Sequence, residues 1–319
     1  MSVFFMVVQQ TMFFSIPLLI VALGGMFTER GGVTNIALDG TMIMGAFTGV
    51  LFINNFQDQI SGQGLLLMAL VVAALTGTVF SLLLAYSAVN MKADQIIGGT
   101  ALNMFAPAFA VYAARLIQDT GVQQIQFENS FRIAKVPVLG DIPLLGKMFF
   151  NNCYITTLIG IVILAISVVV LYKTRFGLRL RSCGEHPHAA DSVGINVYKM
   201  RYAGVMISGA LGGIGGLVFI IPTSTNFNAT VAGYGFLALA VMIFGQWKPM
   251  RIFVAALFFG LMKTVAAVYS VIPLLDGLPI TSDFYKMIPF IATLIVLAFS
   301  SKKSQAPLAV AKPYDKGSR

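Results

Sequence analysis

Stretches of about 20 apolar residues recur along almost the whole chain, each long enough to cross a hydrocarbon core roughly 30 Å thick. No other feature narrows the possible folds as far. Backbone N–H and C=O groups find no water in lipid, so each run must be a helix that satisfies its own hydrogen bonds. Only 10% of the residues are Asp, Glu, Lys or Arg, against roughly 25% in soluble domains. That is too little charge to coat a soluble protein of this size. The expectation is an all-α polytopic membrane protein.

Nine spans are expected, with eight to ten compatible with the pattern: 6–27, 36–54, 65–89, 95–117, 154–172, 200–221, 233–247, 251–270 and 284–300, each boundary good to roughly 2–4 residues. The seventh is short and reads either as a tilted helix or as a half-helix buried among its neighbours. The first run starts near Met1 without a basic head or a small-residue cleavage site, so it reads as a retained span rather than a signal peptide.

Lys and Arg gather on the cytoplasmic side of membrane proteins. If residues 173–199 face inward and each span crosses once, the inner segments hold 15 of the 21 Lys and Arg. The outer loops keep Arg132, Lys135 and Lys147, while Arg115, Lys263 and Lys286 fall within or beside spans. The N-terminus is therefore expected outside and the C-terminus inside. The net charge of +9 belongs to this inner rim and its lipids, and no nucleic-acid partner is expected. Cys153 and Cys183 fall on opposite sides of the fifth span, so two free thiols are expected.

Residues 1–300 read as one transmembrane domain with a single long outer loop, 118–153. Within it Val136–Gly146 is too apolar for a free linker and too broken by Pro and Gly for a helix, so it is expected to pack on the outer face. Residues 301–319 are basic, polar and contain Pro307 and Pro313, and read as a disordered cytoplasmic tail near anionic headgroups.

The inner loop 173–199 is the most informative stretch. A basic approach ends at Gly184, Glu185 stands where an acidic residue favours a helix N-terminus, and Pro187 suits a first turn. Ala189, Ala190 and Val193 form a small apolar face, and Gly194 can stop the helix. Such a helix either lies on headgroups or seats in a groove of another protein.

The segment Gly184-Glu185-His186-Pro187-His188-Ala189-Ala190-Asp191-Ser192-Val193-Gly194-Ile195-Asn196 resembles the cytoplasmic loop of permease subunits in bacterial ABC importers for simple sugars and nucleosides. Vitamin B12 and iron-siderophore permeases carry a related loop. Glu29-Arg30-Gly31-Gly32-Val33-Thr34-Asn35-Ile36-Ala37-Leu38-Asp39-Gly40 resembles a second signature, usually E-R-S-G-V-x-N-I-G-L-E-G, with Gly31, Ala37 and Asp39 departing from it. The glycine run 208–216, residues 233–240 and the pattern Ile142–Gly146 agree, the last favouring the nucleoside branch.

The resemblance implies a permease of the cytoplasmic membrane that imports nucleosides or simple sugars by alternating access. It implies three partners: a cytoplasmic ABC ATPase, an extracytoplasmic substrate-binding lipoprotein and a second permease, expected to be a paralogue forming a heterodimer. In the family the inner loop docks on the ATPase, which assigns coupling to Gly184, Glu185, His186, Pro187, Ala189, Ala190, Asp191 and Gly194. A related branched-chain amino-acid permease is the nearest alternative, and an ion-coupled secondary transporter a more distant one.

Gly209 and Gly213, like Gly212 and Gly216, are four apart, so each pair shares a helix face and suits close helix packing. A phosphate-binding loop would need a Gly-Lys-Ser/Thr end, which the chain lacks. ATP and Mg are therefore expected on the partner ATPase, and no cofactor on this chain. Intramembrane polar groups are path candidates by default. Neutral cargo calls for amide, hydroxyl and aromatic groups, which selects Asn35, Asp39, Asn103, Asn226, Asn228, Tyr234 and Phe236. Asp39 reads equally as a structural helix partner, and Lys263 as a snorkelling or paired side chain. Cys183, His186, His188 and Asp191 lie close in sequence, but a metal is not expected in a loop already explained by docking. No catalytic constellation is present, so the chain reads as a transport subunit rather than an enzyme.

Overall fold

The structure, a computed structural model, describes residues 2–118, 123–128, 131–136, 140, 146, 148, 151–269, 284–285, 287–289, 291–292, 294 and 306–317. Ten helices lie among them: α1 (Ser2–Arg30), α2 (Leu38–Phe56), α3 (Gln63–Ala85), α4 (Gln95–Ile117), α5 (Ile155–Lys173), α6 (Arg175–Glu185), α7 (Pro187–Ser192), α8 (Val197–Thr223), α9 (Tyr234–Phe244) and α10 (Pro249–Val268). A π-helical turn, Tyr86–Asn90, extends α3. Four short strands, β1 (Ile125–Gln126), β2 (Ile133–Lys135), β3 (Asn151–Cys153) and β4 (Asn226–Phe227), complete the described elements.

Eight of the nine expected spans coincide with helices, and the ninth, 284–300, lies largely outside the described residues. Six helices are long and apolar enough to cross a membrane: α1, α3 with its π turn, α4, α5, α8 and α10. The chain is thus a polytopic helical membrane protein. At 19 residues α2 is long enough, but Asp39, Thr41, Thr48 and Asn54 make it more polar, and it packs against α3, α4, α8 and α9. At 11 residues α9 is about 16 Å long, half a crossing.

At the centre lies α8, packed against α1, α2 and α3. Its approach to them is closer than side chains allow. A Cβ on Gly213 would strike the carbonyl of Ala73, and one on Gly216 the carbonyl of Met42. Gly209 likewise meets Ser81 and the backbone of Gly77, and Gly212 meets Thr41. Without a hydrophobic drive between helices in lipid, such backbone-to-backbone contact is the main source of packing energy.

At one end of the bundle, β1 pairs antiparallel with β4 (Ile125 opposite Phe227) and β2 with β3 (Ile133 opposite Cys153). Asn54 Nδ2 donates to the Gln126 carbonyl at 2.8 Å, and Gln63 Nε2 to that of Phe131 at 2.8 Å. Most of 136–146 lies outside the described residues. The opposite end gathers the turn after α1, the α3–α4 corner, α6, α7, the turn after α9 and residues 306–317. Both cysteines are free.

Two expectations need correction. The basic approach 173–184 is not an open linker: it forms α6, which ends at Glu185, so Glu185 closes one helix rather than opening the next. Thr174 caps α6 by accepting from Gly177 N at 3.1 Å, and Phe176, Leu180 and Cys183 fall on one face beneath the arginines. Nor are residues 306–317 a disordered tail. Tyr314 is only 3% exposed, and Ala309 N donates to the Gly184 carbonyl at 2.8 Å. Apolar burial and backbone pairing offset the ordering cost that their polar composition suggested would win.

Candidate coupling face and translocation core

The candidate coupling face is built on the Glu29–Gly40 signature. Arg30 closes α1 and donates through Nε and Nη2 to the Trp247 carbonyl at 3.3 and 3.1 Å, while Nη1 lies 3.6 Å from Glu185 Oε1. Trp247 Nε1 returns a 2.6 Å hydrogen bond to Glu29 Oε2. Gln246 and Trp247 both hold positive φ, which bends the chain sharply after α9 and aims the Trp247 carbonyl at Arg30. Glu29 and Arg30 thus tie the α9–α10 corner to the end of α6. A planar guanidinium with several fixed donors suits a site that must reach a carbonyl and a carboxylate together.

From Glu185 the chain passes His186 into α7. Pro187 occupies the first turn, where its missing N–H costs nothing. Gly194, at φ +82°, ends it with a left-handed residue. Asn196 then caps α8 by accepting from Lys199 N at 2.9 Å. Ala190 is buried, Asp191 is half-buried, and Val193 stands 75% exposed at the tip. A groove of about 320 Å³ runs beside α7, lined by Ser182, Glu185, His186, Ala189, Ala190, Val193 and Ile195. Four of the eight residues selected for coupling, Glu185, His186, Ala189 and Ala190, therefore line one groove.

Cys183 is fully buried beneath α6, and burial pushes its thiol up to about 11. Among the described residues no three His, Cys, Asp or Glu side chains gather as a metal site. His188 instead lies against the Tyr314 ring, centroids 5.1 Å apart.

The path candidates separate into three places. In the bundle interior Asp39 and Asn103 serve helix ends, and Asn35 bonds to the middle of α8. Asp39 Oδ1 accepts from Gly235 N at 2.9 Å, in the first turn of α9. Asn103 Oδ1 accepts from Gly40 N at 2.7 Å and its Nδ2 donates to the Ile36 carbonyl at 2.8 Å, bracketing the start of α2. Asn35 Nδ2 donates to Ser208 Oγ at 2.9 Å. Tyr234 lines a cavity of about 480 Å³ with Gln10, Phe13, Phe14, Phe219 and Lys263. Its ring lies 4.1 Å from that of Phe219 and 5.3 Å from Lys263 Nζ. Asn226 sits in β4, Asn228 is exposed beyond it, and Phe236 is exposed on α9. These seven do not converge on one cavity.

Sequence reasoning missed Trp247, Arg201 and Tyr314. Trp247 is the only tryptophan and sits against a basic residue, a signal open to use. Arg201 was visible only as one more inner charge, yet it is buried at 1% exposure.

Both signatures thus map to one end of a helical bundle whose centre is sealed by glycine. The family profile described as "Branched-chain amino acid transport system / permease component" matches residues 7–297. This chain belongs to that family. It is 44% identical over 314 residues to the guanosine ABC transporter permease protein NupQ of Bacillus subtilis, covering 98% of this chain and 97% of that protein. It is 42% identical to the nucleoside ABC transporter permease protein NupC of Lactococcus lactis, over 95% and 94% of the two chains. A second Lactococcus lactis nucleoside ABC transporter permease protein, NupB, is 27% identical over 78% of this chain and 69% of its own. No solved structure matches. The chain is a multi-pass ABC permease subunit of the cytoplasmic membrane, not itself an enzyme.

Proposed function

We propose that this chain is a permease subunit of an ATP-driven importer for nucleosides. The observation that carries the reading is the similarity to NupQ and NupC over nearly the whole length of all three chains. The bundle is compatible with uncharged cargo: one cavity among the described residues is walled by Phe13, Phe14, Phe219 and Tyr234, with Gln10 and Lys263 supplying polar contacts. Aromatic faces suit a base, and amide or ammonium donors suit a sugar.

In this reading α7 and its flanks, residues 184–194, are the handle on which a cytoplasmic ABC ATPase acts. Nine crossings put the N-terminus outside and the C-terminus inside. The gathering of the α1–α2, α3–α4 and α5–α8 connections with residues 306–317 at one end supports that alternation, as do the β-strand pairs at the other. A substrate-binding lipoprotein delivers cargo outside. ATP and Mg belong to the ATPase. A second permease, a paralogue, completes a heterodimer; two Lactococcus lactis nucleoside ABC transporter permease proteins, NupC and NupB, both resemble this chain. Among the six long apolar helices α4 is the least buried and the least apolar, a combination that suits a face covered by another permease.

Uptake of labelled guanosine, uridine, ribose and leucine in cells lacking this chain tests the proposal. Loss of nucleoside uptake alone is expected. Loss of leucine uptake alone would replace it with the branched-chain amino-acid reading.

A further inference from the structure

Residues 306–317 run across the candidate coupling face and touch α6, α7, α8 and the α3–α4 corner. Ala309 N donates to the Gly184 carbonyl at the end of α6, and Leu308 N reaches Glu185 Oε2 at 3.4 Å. The Lys312 carbonyl accepts from Arg201 Nη1, at the foot of α8, at 3.0 Å. Tyr314 is buried with Cys183, Ala190 and Val197, its ring 5.1 Å from that of His188 and 5.5 Å from that of Tyr198. Lys316 Nζ lies 3.9 Å from Asp191 Oδ1 on α7. Finally Asp315 Oδ2 pairs with Lys92 Nζ at 2.6 Å, on the α3–α4 corner.

That last contact gives the strap its meaning. Among the elements in direct contact with α7, α6 and α8 adjoin it in sequence, whereas Lys92 is about a hundred residues away on a different pair of helices. A six-residue helix has too few internal hydrogen bonds to hold its own position. Its lever arm must come from what is packed on it, and Tyr314 fills its apolar underside at Ala190.

We infer that residues 306–317 are a clamp that joins the coupling helix α7 to the α3–α4 corner, with Tyr314 and Asp315 as positioning residues that pass the ATPase's motion to α3 and α4. The inference rests on the reading that α7 receives the ATPase. Force applied to a loosely held α7 would be lost in local rearrangement. Held by the strap, the same displacement moves the corner where α4 begins, and through it Asn103 at the start of α2.

The test uses the complete importer in proteoliposomes, measuring nucleoside imported per ATP hydrolysed. Tyr314→Ala and deletion of 306–319 are expected to leave co-purification with the ATPase intact while lowering that ratio about five-fold or more, in the range of ordinary coupling between sites. Tyr314→Phe, which keeps the buried ring, is expected to restore it. Lys92→Asp and Asp315→Lys should each lower the ratio, and the double exchange should recover part of it. An unchanged ratio in Tyr314→Ala and the deletion would overturn the inference, and so would loss of assembly in all strap variants, which would make the segment a folding element only.

A second measurement does not depend on cargo. Hydrogen exchange in the purified wild-type importer and the deletion is expected to show faster exchange at 186–195 and at 86–94 without the strap. Faster exchange in the first segment alone would show that no link to the corner exists. If the wild type moved no nucleoside, this arm would still decide the clamp, so the two proposals fail separately.

Discussion

Along α8, contact is made by the absence of side chains; at the α6–α7 end of the bundle it is made by a few long ones. Gly209, Gly213 and Gly216 bring backbones together where no neighbour can yield, because the opposing atoms are carbonyls of α2 and α3. Arg30, Trp247, Glu185, Arg201 and Tyr314 join elements far apart in sequence by side-chain contacts. The first arrangement has one geometry and no adjustment. The second is a set of side-chain tethers, each replaceable at modest cost, between parts that are able to shift relative to one another. Damage should therefore abolish the folded chain in one region and uncouple a folded chain in the other.

The largest effect is expected at the glycine seam. Gly213→Leu forces a side chain into the Ala73 carbonyl and should cost about 3 kcal/mol or more. Little folded chain should be recovered on size exclusion after detergent extraction. A monodisperse Gly213→Leu protein would mean that α8 and α3 separate easily, and the contrast between the regions would collapse.

Arg30→Ala comes next. It removes charge-assisted hydrogen bonds worth about 1.5–3 kcal/mol and leaves the Trp247 carbonyl and Glu185 without their partner. The chain should still reach the membrane at near-normal level, and labelled nucleoside uptake should be lost. Arg30→Lys should not rescue it, since an ammonium cannot present the same fork of donors.

A smaller effect separates surface from interior within the α6–α7 end. Cys183 is buried and its thiol is pushed up to about 11, so a maleimide added from the cytoplasmic side should label it about two orders of magnitude more slowly than a cysteine placed at exposed Val193. Equal rates would mean that α6 lifts freely from the bundle.

The smallest concerns Asp315. The hydrogen bond from Lys92 holds its carboxyl below the ordinary carboxylate range, with Gly317 N and nearby His188 acting in the same direction. Because the folded value is lowered, the contact is fully present above the ordinary carboxylate pKa and is lost only as pH falls through the lowered value. Hydrogen exchange at 306–317 should be flat from pH 7 to about 5 after correction for intrinsic rate, and should rise modestly with salt, as exposed ion pairs do.

What could be read beforehand follows the same division. Apolar runs located eight helices because lipid imposes length and composition on each crossing independently. Pro187 and Gly194 bounded α7 because their backbone preferences act within a few residues. The tethers carry no such local mark. An arginine that ends on a carbonyl 217 positions away looks like any other inner charge. The α6 helix was hidden by its own arginines, which supply the solvated face of an amphipathic pattern yet read as a run of charge. Pro307, Ala309 and Tyr314 are too sparse to announce burial. The path candidates were chosen by residue type alone, and residue type does not say whether an amide faces a cavity or finishes a helix.

The short helix α9 has one more implication. It supplies only half the wall at its place in the bundle, and the other half, 224–233, is held by a two-residue strand, the Ser224–Asn226 side-chain turn and the Phe127 N to Thr225 carbonyl bond. Reshaping a barrier is cheapest where the fewest ladder bonds must break. Segment 224–233 is therefore a compliant edge on a stiff frame, able to shift without unwinding a single turn of the long helices.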